Sequence, residues 1–355
     1  MVLAYQVPQK RPVSVPVSEP PAVLTAALDS GYSLAQLWGS VIRVNEPSYF
    51  ISEGLPALPD EPEQGVFSYV SGDANELVGR TFAVGSIAHS IDSGKCQKNA
   101  DALENKINSA LIMLLGLLTY QKGLPRSVKL NLLPCLQKVT PRLREQMAEV
   151  LQGKHLIKYG RRSLHLDVNV LGCADEGIGV IAVTPNCDPA QNIVVVSVGG
   201  GTINVSQFFR GKLLTQTPFP SGVMELYNDL ALSNGVTGRL KASGDPHIIR
   251  EGVERGDLFY GGPVAANRFS FGEDYLRCLP RWFKASFARP MQHANEMMLK
   301  AERGLVFGGG AMLPGISKLL ETFNFEVVGD PVNANVHGLY EIAKSMVARQ
   351  EGRRG

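Results

Sequence analysis

Residues 194–205, VVVSVGGGTINV, constrain the chain more than any other stretch. Val194, Val195, Val196 and Val198 suit a strand buried on both faces, because β-branched side chains pack well on a pleated surface. Gly199, Gly200 and Gly201 let the backbone turn tightly and bring its N–H groups close to a ligand. Thr202 adds a hydroxyl before a second apolar run. Strand, glycine turn, hydroxyl, strand is the form of a hairpin that grips phosphate. A hairpin that also manages a metal ion usually carries a carboxylate ahead of its glycines; here Ser197 leads into them.

The same plan occurs earlier, at 22–39, AVLTAALDSGYSLAQLWG: a strand to about Leu28, a turn at 29–31 and a second strand. The two hairpins lie about 170 residues apart, each followed by helices and further strands. The layout is a duplicated α/β architecture whose two turns face each other across a cleft. A third glycine turn, VFGGGAMLPG at 306–315, separates a strand from a helix. Glycines there let a flat group lie against backbone, and the helix N-terminus adds a positive dipole. Two phosphate turns and a distant glycine platform suit a nucleoside triphosphate held between two lobes. No GxxxxGK[ST] loop occurs, and GIGVIA at 177–182 mimics a dinucleotide motif without the helix-opening run that motif needs.

At 355 residues the chain has room for two lobes, and 44% apolar with 19% charged residues is ordinary for a globular protein with a large core. A net charge of +2 gives no polyanion footprint, so direct nucleic-acid binding is not expected. Cys96, Cys135, Cys173, Cys187 and Cys278 form no CxxC pair and read as reduced thiols. The apolar run ALIMLLGLLTY at 110–120 is well short of the ~20 residues that span a bilayer. A cytoplasmic protein is expected.

The chain divides into a proline-rich, mobile tail (1–22), a first lobe (23–188), a second lobe (189–334), a returning helix (335–350) that packs on the first lobe, and a short basic tail (351–355). Residues 53–65 read as a surface loop and 81–88 as a strand running into a helix. A long helix is expected at 96–120, a strand at 127–136, a helix at 141–151, and a hairpin, strand and helix start across 155–183. Later come a helix at 222–235, a helix and turn at 250–262, and a helical stretch with a core Trp282 over 265–303. His89, His155, His165, His247, His293 and His337 show no metal-ligand spacing.

The three glycine turns, in this order and spacing, resemble the actin-like ATPase superfamily, with its D-x-G, D-x-G-G-x-T and apolar-G-G-G loops. Within it the chain is most similar to plasmid-segregation actins of the ParM/StbA type. AVGSIA at 83–88 resembles their short VG-x-x-A stretch, and Ala334, Asn335 and Gly338 recur from their closing segment. The resemblance spans roughly residues 23–350 and implies an actin-like (ribonuclease-H-like) duplicated two-lobed fold with a nucleotide cleft between the lobes.

Carried over, the resemblance puts Asp29, Gly31, Tyr32, Ser33 and Gln36 around the phosphates, with Asp29 holding magnesium through water. Gly199, Gly200, Gly201 and Thr202 close from the other lobe with Ser197 and Gly222; Gly308, Gly309, Gly310 and Met312 border base and ribose. Glu176 falls about where these proteins keep a glutamate that positions the attacking water. Taken alone it is a solvated loop carboxylate; its spacing of 21 residues to Ser197 supports the catalytic role. Three departures stand out: Ser197 replaces an aspartate, Asn204 a second aspartate, and Gln36 a phosphate-binding lysine.

The resemblance therefore implies ATP or GTP binding with Mg, slow hydrolysis and a homopolymeric filament. The role would be a cytoskeletal scaffold or DNA segregation with a small DNA-binding adaptor. A non-filamentous nucleotide-binding pseudo-ATPase is the alternative. A small-molecule kinase ranks below both, since no motif supplies a base beside a substrate pocket.

Overall fold

Two sheets, each built around a glycine-turned hairpin, organise the molecule. The computed structural model describes residues 20–55, 64–98, 103–188, 190–317, 320 and 322–353. Most of the proline-rich tail, residues 56–63 of the expected loop and the last two residues of the basic tail lie outside them.

The first hairpin pairs β1 (Ala22–Ser30) with β2 (Leu34–Gly39) and continues through β3 (Arg43–Pro47) and β4 (Tyr49–Ile51). Next come β5 (Val66–Gly72), β6 (Thr81–Val84), helix α1 (Ser86–Asp92) and β7 (Gln97–Lys98). Helices α2 (Leu103–Asn108) and α3 (Ala110–Tyr120) precede β8 (Ser127–Leu136) and α4 (Pro141–Leu151). Strands β9 (Gly153–Tyr159), β10 (Arg162–Val170) and β11 (Ala174–Asp175) complete an eleven-stranded sheet of order β3-β2-β1-β8-β10-β9-β5-β6-β4-β7, with β11 beside β8. Central β8 runs parallel to β1, β10 and β11. It is buried from Leu130 to Leu136, as a central strand covered on both faces must be.

Helix α5 (Ile178–Val183) leads to the second hairpin, β12 (Asn192–Val198) and β13 (Ile203–Phe209), which continues into β14 (Lys212–Phe219). Helices α6 (Val223–Ala231), α7 (Asn234–Leu240) and α8 (Pro246–Glu254) follow, then a small ribbon of β15 (Phe259–Tyr260) and β16 (Phe269–Ser270). Helices α9 (Gly272–Trp282) and α10 (Ala288–Met298) are joined by one π-helical segment. Strands β17 (Arg303–Phe307) and β18 (Glu326–Val327) close a five-stranded sheet of order β14-β13-β12-β17-β18. Helix α11 (Ala334–Gly352) then returns to the first sheet, packing Val336, Leu339 and Tyr340 with Ala27 and Leu133.

Most local expectations hold, with four corrections. The expected helix over 96–120 is β7, then α2 and α3 separated at Ser109, whose hydroxyl bonds back to the Asn105 carbonyl at 2.5 Å; residues 99–102 lie outside the described residues. The expected helix over 222–235 breaks at Ser233, the N-cap position of α7. The expected 265–303 helical stretch begins only at Gly272, after β16. A helix does open in GIGVIA, and its glycine serves packing. A side chain at Gly179 would strike the Asn335 carbonyl, and one at Gly338 would strike the Gly179 carbonyl. Both glycines are therefore needed for α5 and α11 to cross backbone to backbone. The helix expected after the third glycine turn falls partly outside the described residues.

Trp282 is buried, its indole N–H donating to the Gly222 carbonyl at 2.9 Å. All five cysteines are free thiols. Among the described residues no helix is long and apolar enough to cross a membrane, and no group of three His, Cys, Asp or Glu is placed to hold a metal.

Two histidines bring the lobes into contact. His89 of α1 and His247 of α8 approach with ring centroids 4.1 Å apart, flanked by Tyr49. His89 faces Asp245 at 3.1 Å and His247 faces Glu251 at 3.4 Å. Burial pushes the His247 pKa down to about 4, with neighbouring His89 and Arg250 adding to it against the opposing charge of Asp245. An unfolded chain takes up this proton near the ordinary value of 6.5, so the contribution is intact above that pH and is lost as pH falls toward 4.

Two outcomes are expected. The melting temperature falls as pH drops from about 6.5 to 4.5, and His247→Gln makes that fall shallower; an identical slope in the variant contradicts the assignment. Gly338→Val costs at least about 2 kcal/mol through overpacking and lowers the melting temperature at pH 7.5, whereas an unchanged value would mean that α5 and α11 can separate without penalty.

Candidate functional site

The two hairpin turns meet. A side chain at Gly200 would strike the Ser33 hydroxyl, and one at Gly201 would strike the Tyr32 ring, so only glycines permit this approach. The first turn is held by its own Gly31 N–H to the Leu34 carbonyl (2.9 Å) and by the Ser48 hydroxyl on the Gly31 carbonyl (2.5 Å). From the other lobe, Arg250 donates to the Ser33 carbonyl at 2.7 Å.

The second turn is held by helix α6. The Val223 and Met224 N–H groups donate to the Gly199 and Gly200 carbonyls at 3.1 and 2.9 Å. A side chain at Gly222 would collide with both carbonyls, so Gly222 acts by letting the helix dock. With carbonyls thus satisfied, the amides of Gly200 and Gly201 have no protein acceptor among the described residues. Such amides form an anion-binding nest. Gly308 of the third turn has φ of 96°, and its N–H donates to the Pro331 carbonyl at 2.7 Å. Gly308 and Gly310 press against Val198, while Gly309 has open space beside it.

Between the three turns lies a cavity of about 600 Å³, of the size that takes a small ligand. Its wall brings together Asp29, Gly31, Tyr32, Ser33, Gln36, Glu176, Ser197, Gly199, Gly200, Gly201, Thr202, Gly308, Gly309 and Met312. Gly222 and Gly310 stand behind that wall. A larger cavity, about 1010 Å³, lies within the first lobe beside Asp73, Arg80 and His155 and includes none of the glycine turns.

The two hairpins place their polar residues at equivalent cross-strand positions: Asp29 opposite Gln36, and Ser197 opposite Asn204. Gln36 is committed to structure. Its amide donates to Asn333 Oδ1 at 2.9 Å, the Val332 carbonyl at 3.1 Å and Asn45 Oδ1 at 3.3 Å. Ser197 and Asn204 both serve Glu176: the Ser197 hydroxyl donates to Oε1 at 2.7 Å and the Asn204 amide to Oε2 at 3.4 Å. Gln137 in turn donates to Asn204 Oδ1. Burial raises the Glu176 pKa and nearby Asp29 raises it further, against Lys106 and the Ser197 hydroxyl.

Asp29 is similarly enclosed. Its Oδ2 accepts from Asn335 Nδ2 at 2.9 Å, and its Oδ1 lies 3.5 Å from the buried ammonium of Lys106 on α2. Burial works to lower the Lys106 pKa, but the charge of Asp29, with Glu176 and the Cys135 thiol contributing, carries it above the ordinary value.

Lys106, Asn335, Gln137 and Arg250 all line the cavity and were not singled out as site residues from sequence. Lys106 carried little positional signal, because α3 is buried all round from Ala110 to Thr119 and no stripe singles out position 106; its nearness to a buried apolar run was the one hint. A buried lysine needs a partner. Asn335 was legible only as part of the closing segment.

The residues present fit a magnesium nucleotide. The glycine amides are free to donate to an anion, the Ser33 hydroxyl is buried without a partner, and Asp29 offers one carboxylate where Mg²⁺ commonly uses one or two.

No protein-family model matches this sequence, and no curated protein matches it either. Solved structures do match. The archaeal actin homolog Ta0583 aligns with a TM-score of 0.69 at 14% identity, covering 91% of this chain and 99% of that one. The actin-like protein Alp7A aligns at 0.68 and 14% identity, covering 94% and 99%. A Bacillus thuringiensis ParM solved with ATP aligns at 0.62 and 15% identity, covering 92% and 99%. The chain has the actin-like, two-lobed fold of ParM-type proteins.

Proposed function

We propose that this chain binds a magnesium nucleoside triphosphate, ATP or GTP, in the cleft between its lobes, assembles into filaments and hydrolyses the nucleotide slowly. The observation that carries the reading is the pair of facing hairpin turns, the second with unpartnered Gly200 and Gly201 amides, enclosing Asp29 and Glu176 in one cavity. The amides of Gly200 and Gly201, with Thr202, would hold phosphate oxygens. Gly308, Gly309 and Met312 would border base and ribose, and Asp29 would hold magnesium through water. When bound, the metal neutralises triphosphate charge. The filament part of the proposal is supported by likeness in fold to ParM and Alp7A.

Slow hydrolysis follows from the surroundings of Glu176. Both its oxygens already accept a hydrogen bond, from Ser197 and Asn204, so about two of its four acceptor sites are taken before an attacking water arrives. A serine and an asparagine also lack the charge that a carboxylate would place near metal and water. A hydrogen bond to a charged group is worth about 1.5–3 kcal/mol, roughly one to two orders of magnitude in rate. A filament with slow turnover is long-lived. That suits a cytoplasmic scaffold, or a segregation filament whose small DNA-binding adaptor supplies the cargo. The engaged state of Glu176 also favours a second reading, a nucleotide-binding scaffold that neither hydrolyses nor polymerises.

Electron microscopy with ATP, with ADP and without nucleotide separates the two. Filaments with ATP at tens of micromolar protein are expected; none in any state favours the non-polymerising scaffold. Ser197→Asp sets a carboxylate against Glu176. It should lower the melting temperature of the metal-free protein, recover more than wild type on adding Mg·ATP, and release phosphate about 10-fold faster. Unchanged release in a variant that still binds ATP would refute the assignment of slow hydrolysis to the serine at 197.

A further inference from the structure

The cavity wall holds more negative charge than its glycine turns can answer. Asp29 and Glu176 flank the phosphate turns, and a triphosphate would add several more charges. Among the described residues that line the cavity, Lys106 and Arg250 are the cations carrying permanent charge. Arg250 is committed: its Nε donates to Glu254 at 2.7 Å and its Nη1 to the Ser33 carbonyl at 2.7 Å, so it braces the first turn. Gln36, opposite Asp29, is neutral and tied to Asn45, Val332 and Asn333. Lys106 is different. It is buried, its ammonium reaches the cavity, and among the described residues its ion-pair partner is Asp29, at a long 3.5 Å.

We propose that Lys106 is the phosphate-binding cation of this cleft, delivered from helix α2, with Asp29 as its exchangeable counter-ion. This rests on the nucleotide reading of the cleft. The ammonium neutralises Asp29 in this structure and transfers its hydrogen bonding to a phosphate oxygen when nucleotide binds. That exchange releases the Asp29 carboxylate to a magnesium-bound water. Asp29 keeps the Asn335 hydrogen bond on its other oxygen throughout, so only one of its oxygens changes partner. Lys106 thus couples phosphate binding to the availability of the magnesium carboxylate. A fixed lysine pointing only at phosphate would lack that coupling.

Isothermal titration of the full chain with ATP and with adenosine, in Mg²⁺ and in EDTA, tests this. Lys106→Met should weaken ATP about 10- to 100-fold and leave adenosine within about twofold. Because that variant strands the Asp29 carboxylate, a second pair guards against misfolding. Asp29→Asn removes the competitor for the ammonium, so its ATP affinity in EDTA should equal or exceed wild type. Asp29→Asn/Lys106→Met should lose the same 10- to 100-fold relative to Asp29→Asn. Equal ATP affinity in the single and double variants, where wild type binds ATP, overturns the role of Lys106 and leaves the nucleotide reading standing. A wild type that binds neither ATP nor adenosine overturns both.

Discussion

The carboxamide of Asn335 is the interaction on which the arrangement depends. Its Oδ1 accepts the Gly177 N–H at 3.0 Å, at the start of α5, and its Nδ2 donates to Asp29 at 2.9 Å. One side chain on the closing helix therefore fixes the segment that joins the lobes and orients the carboxylate of the first hairpin. The glycine crossing of Gly179 and Gly338 makes this reach possible, because a larger residue at either position would hold α11 off α5. Asn335 is almost completely buried, so leaving its amide unpaired would carry a desolvation cost of about 1–3 kcal/mol.

The departures from the ParM-type pattern make sense as a set. A serine at 197 and an asparagine at 204 are cross-strand partners and both donate to Glu176. Carboxylates at those positions would place like charges around a glutamate whose pKa burial already raises. Donors in place of acceptors let Glu176 sit hydrogen-bonded at the cavity wall. On the other hairpin, the neutral Gln36 is spent on the loop before α11, and the positive charge arrives instead on Lys106.

Much of the fold was legible because its signals are local. Valines followed by glycines mark a buried strand and its turn wherever they occur, and both hairpins and β8 fall where alternation and turn chemistry predict. The joints were less legible. Ser109 separates α2 from α3 through a hydroxyl bond to Asn105, and Ser233 begins a new helix where apolar periodicity runs on. At Ser109 a polar side chain competes with the helix ladder, whereas at Ser233 the backbone itself leaves the helical region (φ −65°, ψ 152°), and periodicity records neither.

By itself, the sequence determined the paired glycine hairpins, the third glycine turn and the identities of Asp29, Glu176 and Ser197, because turn geometry and strand burial depend on neighbours along the chain. Only the tertiary structure decided what those residues touch. Glu176 meets Asn204 across 28 residues, Asp29 meets Lys106 across 77 and Asn335 across 306. The charge and hydrogen-bond partners of a buried carboxylate are set by whatever elements pack over it, and in this chain those elements come from distant parts of the sequence. A sequence can therefore announce a glycine turn while leaving open which charged side chains pack beside it.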